Sequence, residues 1–377
     1  SFAAPARGAR GTYIRIAGPD SRARKGAGSI DSPSDSVNRM ELVTLALGSP
    51  RGRFFCANVA YKCSTDARAA GFNRPQTTAD AREVIEGVDI SAILELSEMD
   101  LLEALGYAAD LARYWQPPND DDVKFADPHV VAALRPIAAA VLSSEHTTWW
   151  GEPVDVDNQR LVVHPMSPDE WPESTAPYRP ASSSLDEWRK SILANETRFR
   201  ERRTAEPDSE VAGEWWSTPI FATLTSSRAR NGIGSLELLM EEDSSGGGEA
   251  QIWPVHVRNS PRVYEIWSPS DWAHLVEKYP LAVPESRRSV WFDTTGEHRN
   301  WFIPDWAAVA EDYDAAHLSL HGYLTTPGIA ISLSDNERST LLGGWDPDAT
   351  FWLNPDVVDI DDEPALWRRA DERWERA

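Results

Sequence analysis

The chain has 377 residues, with 60 acidic side chains against 37 basic ones and two cysteines, giving a formal charge of −23. That charge excludes a general nucleic-acid binder, which needs a basic face for phosphate, and two cysteines exclude a disulfide scaffold or a four-cysteine zinc site. No run approaches 18 uninterrupted apolar residues, and residues 1–30 carry no apolar segment behind their basic ones, so the expectation is a cytoplasmic protein of about two domains with no membrane span or secretory signal.

Residues 1–40 hold seven basic and three acidic side chains in a Ser-, Gly-, Ala- and Pro-rich setting without sustained periodicity. So little apolar surface does not offset the entropy of ordering, and 1–40 reads as a disordered basic tail with Met40 as a candidate native start. The remainder, 41–377, carries a net −27. Residues 41–150 read as a helical domain. A Gly-Ser-Pro-Arg-Gly break at 48–52 divides its first helix in two. Leu101, Leu102, Leu105, Ala108, Ala109, Ala112 and Trp115 keep helical spacing behind a Ser97/Asp100 capping box, and Pro117-Pro118 stops that helix. An acidic loop, Asp120-Asp121-Asp122, precedes a helix capped by Asp127 with Pro128 in first position. Pro136 is expected to kink or split it.

Residues 151–208 read as a Pro-rich connector with a short strand at 160–164 and an amphipathic helix over 184–204. The basic end of that helix (Arg198, Arg200, Arg202, Arg203) suits the negative pole of the helix dipole. Residues 209–360 read as an α+β domain. Its elements are an extended stretch at 214–225, a hairpin of strands 236–240 and 250–257, a strand at 263–266 and a capped helix at 268–278. A strand at 301–303, a helix at 306–312 and strands at 315–320 and 350–353 follow. Residues 361–377, with Leu366, Trp367 and Trp374 as apolar contacts, read as a charged C-terminal helix. Of 17 tryptophans, 16 lie at or beyond position 149, which places a composition boundary there.

The chain lacks Gly-x-Gly-x-x-Gly, a Walker A loop, a Gly-x-Ser-x-Gly elbow and His-Glu-x-x-His. This removes the direct routes to Rossmann enzymes, P-loop NTPases, α/β-hydrolases and zincins. His317 and His321 share one face of the alternating segment 315–321, but no third ligand adjoins them, so they read as hydrogen-bonded histidines and no metal site is expected. Cys56 and Cys63 read as ordinary thiols. The run Asp359-Ile360-Asp361-Asp362-Glu363 lacks the glycine and spacing of a calcium loop and reads as a solvated face. Most tryptophans read as core. In the pairs Trp149-Trp150 and Trp215-Trp216, one ring can be core while the other faces a cleft.

The C-terminal half holds an ordered set: Trp215-Trp216-Ser217-Thr218-Pro219, Val263-Tyr264-Glu265-Ile266, Pro304-Asp305-Trp306, and Gly344-Trp345-Asp346-Pro347-Asp348-Ala349-Thr350-Phe351-Trp352. Asp346-Pro347-Asp348 also fits a turn with Pro in second position. Over residues 160–355 this order resembles the ADP-ribosyltransferase-like fold of bacterial toxins and effectors. It is also similar to uncharacterised bacterial proteins that share the Trp-Asp-Pro-Asp-x-Thr-x-Trp ending. The fold expected is α+β, the helical N-terminal domain read above followed by a mainly antiparallel split sheet of the kind the resemblance implies. The resemblance further implies an NAD-using ADP-ribosyl transferase or NAD glycohydrolase with a protein or small-molecule acceptor. Ser217 and Thr218 would shape the nicotinamide pocket and Trp216 would stack on the ring. Arg160 or His164 would anchor NAD, an arginine doing so by bidentate contact with the pyrophosphate. Asp348, or else Asp346, would be the catalytic acid, stabilising positive charge on the ribose as its bond to nicotinamide breaks. The family mostly has Glu at that position, together with a Glu-x-Glu pair and a Ser-Thr-Ser triplet; this chain has Asp, no such pair, and Ser-Thr-Pro. The competing expectation is a non-enzymatic, immunity-type or regulatory protein that offers an acidic surface to a basic partner. The enzyme requires Ser217, an anchor such as Arg160, and Asp348 to converge on one cleft, whereas the binding module requires a contiguous apolar or acidic patch.

Overall fold

Apolar residues recurring every three to four positions bury one face of each N-terminal helix. The computed structural model describes residues 39–64, 75–164, 184–206, 213–230, 232–244, 247–370 and 373–377. The tail up to residue 38 and the Pro-rich stretch 165–183 lie outside the described residues. Helix α1 (Arg39–Gly48) is followed directly by α2 (Pro50–Cys63), whose N-terminus is capped by Ser49 with Pro50 first. The break at 48–52 therefore separates two helices, as its composition requires. Helices α3 (Thr78–Glu86), α4 (Ile90–Leu94) and α5 (Glu98–Asp110) come next, the last capped by the expected Ser97/Asp100 box.

Two local expectations are corrected here. The Asp120-Asp121-Asp122 triplet is not a loop but the first turn of α6 (Asp120–Ala126). Asn119 accepts from the amides of Asp121 and Asp122, and Asp122 caps in return. Three carboxylates at a helix N-terminus are favoured by its dipole. Of the two outcomes expected at Pro136, splitting does not occur: α7 (Pro128–Val141) runs through it. The missing amide costs one hydrogen bond, and burial of Val130, Leu134, Ile137, Ala138 and Val141 holds the helix through it.

The second half of the chain builds two sheets. The larger runs β13-β12-β3-β1-β2-β10-β7-β4, with β11 also paired to β3. Its strands are β1 (Gln159–Val163), β2 (Leu224–Arg228), β3 (Glu249–Val257), β4 (Val263–Ile266), β7 (Ala315–Leu318), β10 (Thr350–Trp352), β11 (Val358–Ile360), β12 (Ala365–Ala370) and β13 (Arg373–Arg376). Its pairings are antiparallel except β4 with β7. A smaller sheet, β5-β6-β9-β8, joins Pro280–Ala282, Asn300–Pro304, Arg338–Thr340 and Ile331–Ser332. Helices α8 (Ser184–Ala205), α9 (Pro269–Lys278), α10 (Arg288–Thr295), α11 (Trp306–Asp312) and α12 (Leu320–Thr325) complete the set. The architecture is α+β.

Three larger expectations fail. The C-terminal segment is not a helix but the β12–β13 pair. The exposed edge of β3 supplies ladder partners from Ala365 to Arg368, and Trp367 and Trp374 pack against Val162, Leu238, Ala250 and Ile252, so tertiary pairing overrides helix propensity. Residues 236–240 make a 3-10 turn (Leu236–Leu238) instead of a strand, so β3 pairs with β1, β11 and β12 and the expected hairpin does not exist. The helical region is also not a separate domain. Leu42, Phe54, Leu105 and Leu134 share one core with Trp272, Trp306, Tyr323 and Phe351, α12 packs on α1 and α2, and Ser32–Ala377 forms one unit. The expectation that tryptophans fill the core holds: Trp150, Trp253, Trp272, Trp291, Trp301, Trp306, Trp345 and Trp352 are all fully buried. No described helix is long and apolar enough to cross a membrane.

Candidate functional site

The loop between β9 and β10 organises the polar interior. Gly343 is held by a reciprocal pair: Ser217 N–H donates to Gly343 O (3.0 Å) and Gly343 N–H donates to Ser217 Oγ (3.1 Å). Thr218 Oγ1 donates to Gly344 O at 2.8 Å. Gly344 has φ +80°, and a Cβ there would stand 3.1 Å from the Trp216 Cβ; both the left-handed backbone and the close approach call for glycine. Ala349 N–H then closes a turn onto Asp346 O (3.2 Å), with Pro347 second and Asp348 third at φ +60°. Ser217 and Thr218, both buried, therefore serve as staples of this loop.

The turn sends Asp346 and Asp348 into different surroundings. Asp348 is 1% exposed. Arg228 on β2 grips it through Nε (2.8 Å to both oxygens) and Nη2 (2.7 Å). His317 on β7 faces Asp348 Oδ1 through Nε2 (3.3 Å) and Glu265 Oε2 on β4 through Nδ1 (2.5 Å). With a carboxylate at each ring nitrogen, both nitrogens act as donors and the ring is an imidazolium. Burial opposes that charge, but Glu265 and Asp348 outweigh it and raise the His317 pKa to about 9. For Asp348, burial pushes the pKa upward, and Arg228 with His317 overcomes it and holds the carboxyl below its ordinary range. The 153–154 segment closes the cluster: Arg228 Nη2 donates to Pro153 O (3.2 Å) and Val154 N–H donates to Glu265 Oε1 (2.9 Å). Two charges of each sign, hydrogen-bonded and buried, make a closed structural unit. Asp348 is thus corrected from a substrate-facing acid to a buried anchor.

Asp346 is half-buried beside other acids. It accepts the Glu242 N–H at 2.7 Å. Glu242 Oε1 accepts from Tyr114 Oη (2.8 Å) and Tyr323 Oη (2.9 Å), while its Oε2 is buried without a partner. Burial, reinforced for Asp346 by Glu242 and Glu241, raises Glu242 to about 7 and Asp346 to about 8. Burial and Asp346 likewise push Glu237 well above the carboxylate range. Next to these carboxyls lies an aromatic ledge. Trp115 and Trp215 are 4.8 Å apart between ring centroids, Trp215 meets Trp216 edge-on at 5.8 Å, and Tyr114 stands 6.1 Å from Trp215. All three tryptophans are half-exposed.

Of the expected NAD anchors, Arg160 joins neither group, and His164 only borders the acids, its Nε2 lying 4.0 Å from Glu241 Oε2. Arg160 on β1 turns its Nη1 to Gln159 O (2.7 Å), and His164 sits near Glu249 O and the Trp374 ring. Residues 215–218 are not in a strand. His317 and His321 do not share a strand face either: His321 belongs to α12, and burial alone lowers its pKa to about 4. Arg228 and Glu242 escaped the sequence reading because each is one polar residue in an ordinary run; Thr-Ser-Ser-Arg on a central strand was the available signal for Arg228. Cys56 is buried, and desolvation raises its thiol to about 12. Among the described residues no group of three or more His, Cys, Asp or Glu is placed to hold a metal. The chain matches no protein-family model, no curated protein and no solved structure.

Proposed function

We propose that the chain cleaves or transfers a glycosidic bond of NAD, with Asp346 and Glu242 as its carboxyl pair and Trp216 as the ring platform. The supporting observation is the pair itself: two half-buried carboxyls with pKa values of about 8 and about 7, set against the exposed Trp115–Trp215–Trp216 ledge. Groups poised near neutral pH are matched to proton transfer. When the nicotinamide–ribose bond breaks, its electron pair leaves with nicotinamide and positive charge builds on the ribose. Ionised Asp346 stabilises that charge and takes the proton of the attacking water or acceptor hydroxyl. Glu242, steadied by two tyrosine hydroxyls, fixes the position of Asp346 and adds to the negative field. Trp216 stacks on the leaving ring.

The test is nicotinamide release from millimolar NAD, followed with thermal unfolding. NAD at about ten times its dissociation constant stabilises the fold by about 1.4 kcal/mol. Asp346→Asn abolishes release while keeping the fold, and the wild-type rate rises through pH 7 to 8 as the base ionises. Neither shift nor release at several millimolar NAD would sink the reading. A second reading has an observation of its own. Residues 75–164 carry 17 acidic side chains against five basic ones, the composition of a surface that attracts a basic partner; a pull-down that recovers such a partner and loses it at high salt tests this.

A further inference from the structure

The aromatic ledge already carries a guanidinium. The Arg113 Cζ lies 5.7 Å from the centroid of the Trp115 ring, and its Nη2 reaches Asp243 Oδ1 at 3.0 Å. Asp243 is half-exposed and Arg113 itself is 28% exposed, so this pair lies at the solvent edge of the ledge. Beyond it the rings of Trp215 and Trp216 continue half-exposed, and Gly344 brings the loop of Asp346 against both. Asp346 accepts the Glu242 N–H at 2.7 Å, one residue before Asp243, and Asp346 and Glu241 stand close enough to Glu237 to push it up. The nearby basic groups are Arg113 and Arg51, and Arg51 is spent on Ala108 O (2.5 Å) and on Asp122.

We propose that this ledge docks an arginine-bearing segment of a partner protein. The guanidinium would lie over Trp215 and Trp216 and pair with Asp346 and Asp243, repeating outside what Arg113 does inside. A planar guanidinium is the matching cation: it stacks on an indole face and takes a carboxylate bidentately, whereas an ammonium is a hydrated point charge without either geometry. A bare metal has no such support, because among the described residues no group of three or more His, Cys, Asp or Glu is placed to hold one. The inference gives Trp216 and Asp346 a different occupant from the NAD reading and does not rest on it, since docking breaks no bond.

The probe is a short peptide with two arginines, titrated against the full chain by tryptophan fluorescence at low salt without NAD. Its counterparts carry lysine or citrulline, the latter keeping the shape without the charge. Saturable binding is expected for the arginine peptide, several-fold weaker binding for lysine, and loss for citrulline. Trp216→Leu weakens binding about ten-fold. Arg113→Ala strengthens it several-fold by removing the internal competitor, a gain that misfolding does not produce. Equal binding of arginine and citrulline peptides, or an Arg113→Ala protein that binds no better than wild type, overturns the proposal. Peptide binding by a protein that releases no nicotinamide upholds this inference and removes the NAD reading; nicotinamide release without peptide selectivity does the reverse.

Discussion

Asp346 and Asp348 are two residues apart on one turn, yet they behave as opposites. Asp348 meets Arg228 and His317 and is held ionised below its ordinary range. Asp346 meets Glu242 and Glu241 and is pushed to about 8. Burial pushes both carboxyls upward; the sign of the neighbouring charges decides which one stays raised. The histidines repeat the lesson four residues apart. His317 is raised to about 9 by two carboxylates and His321 is lowered to about 4 by burial without one. A charge-balanced cluster can be sealed inside a protein, whereas an acid-only cluster keeps protons near neutral pH and is the better candidate for chemistry.

Breaking the balanced cluster has the largest expected effect. Arg228→Met leaves Asp348 buried with only His317 beside it, and removing one partner of such a pair costs about 3–5 kcal/mol; urea unfolding at pH 7 measures this, and a loss under about 1 kcal/mol would mean that water reaches the cluster. His317→Gln comes next, at about 2–3 kcal/mol near neutral pH. Its folded-state pKa lies above the unfolded value of about 6.5, so its contribution is full below that value and is lost as pH rises through about 9. Wild-type stability should decline over that window, and the variant should lack this component of the decline.

The acid-only cluster titrates in the same direction, but its substitutions act with the opposite sign. Glu242 and Asp346 have folded pKa values above their unfolded ones, so the neutral forms are favoured by folding and stability falls as pH rises from about 4 through 7 to 8. Glu242→Gln or Asp346→Asn should therefore stabilise by about 1–2 kcal/mol at pH 8.5 and change little at pH 5, read as paired melting curves at the two pH values. Equal effects at both pH values would mean that the carboxyls titrate normally. The smallest expected effect is on the shared loop: Gly344→Ala, at φ +80° and against Trp216, should cost about 1–2 kcal/mol and disturb both clusters together, visible as a shift in both pH windows.

Much of the fold was legible in local chemistry. The Ser97/Asp100 and Asp127-Pro128 caps and strands β4 and β6 fall where spacing and caps place them, because these signals are complete within a few residues. The edge pairing of 365–376 and the 3-10 turn at 236–238 were not legible, since each depends on which distant strand stands beside it. The candidate site was legible in part. Trp216, Ser217, Thr218 and Asp346 do gather around one loop, with the hydroxyls serving as staples, while Arg160 stays apart, His164 reaches only the border of the acids at Glu241, and Arg228, Glu242 and Tyr114 were missed. A side chain's partners across 100 residues of chain leave no mark in its own neighbourhood.

The sequence by itself determined the acidic character, the helix caps, the turn at Asp346-Pro347-Asp348 and the need for an aromatic core, because each follows from composition or from residues within one turn of each other. Only the tertiary structure decided which aspartate is anchored and which is poised, and which histidine is charged. Those outcomes depend on the charges within a few ångströms of a buried group, and strands β2, β4, β7 and β10 come together only when the chain folds.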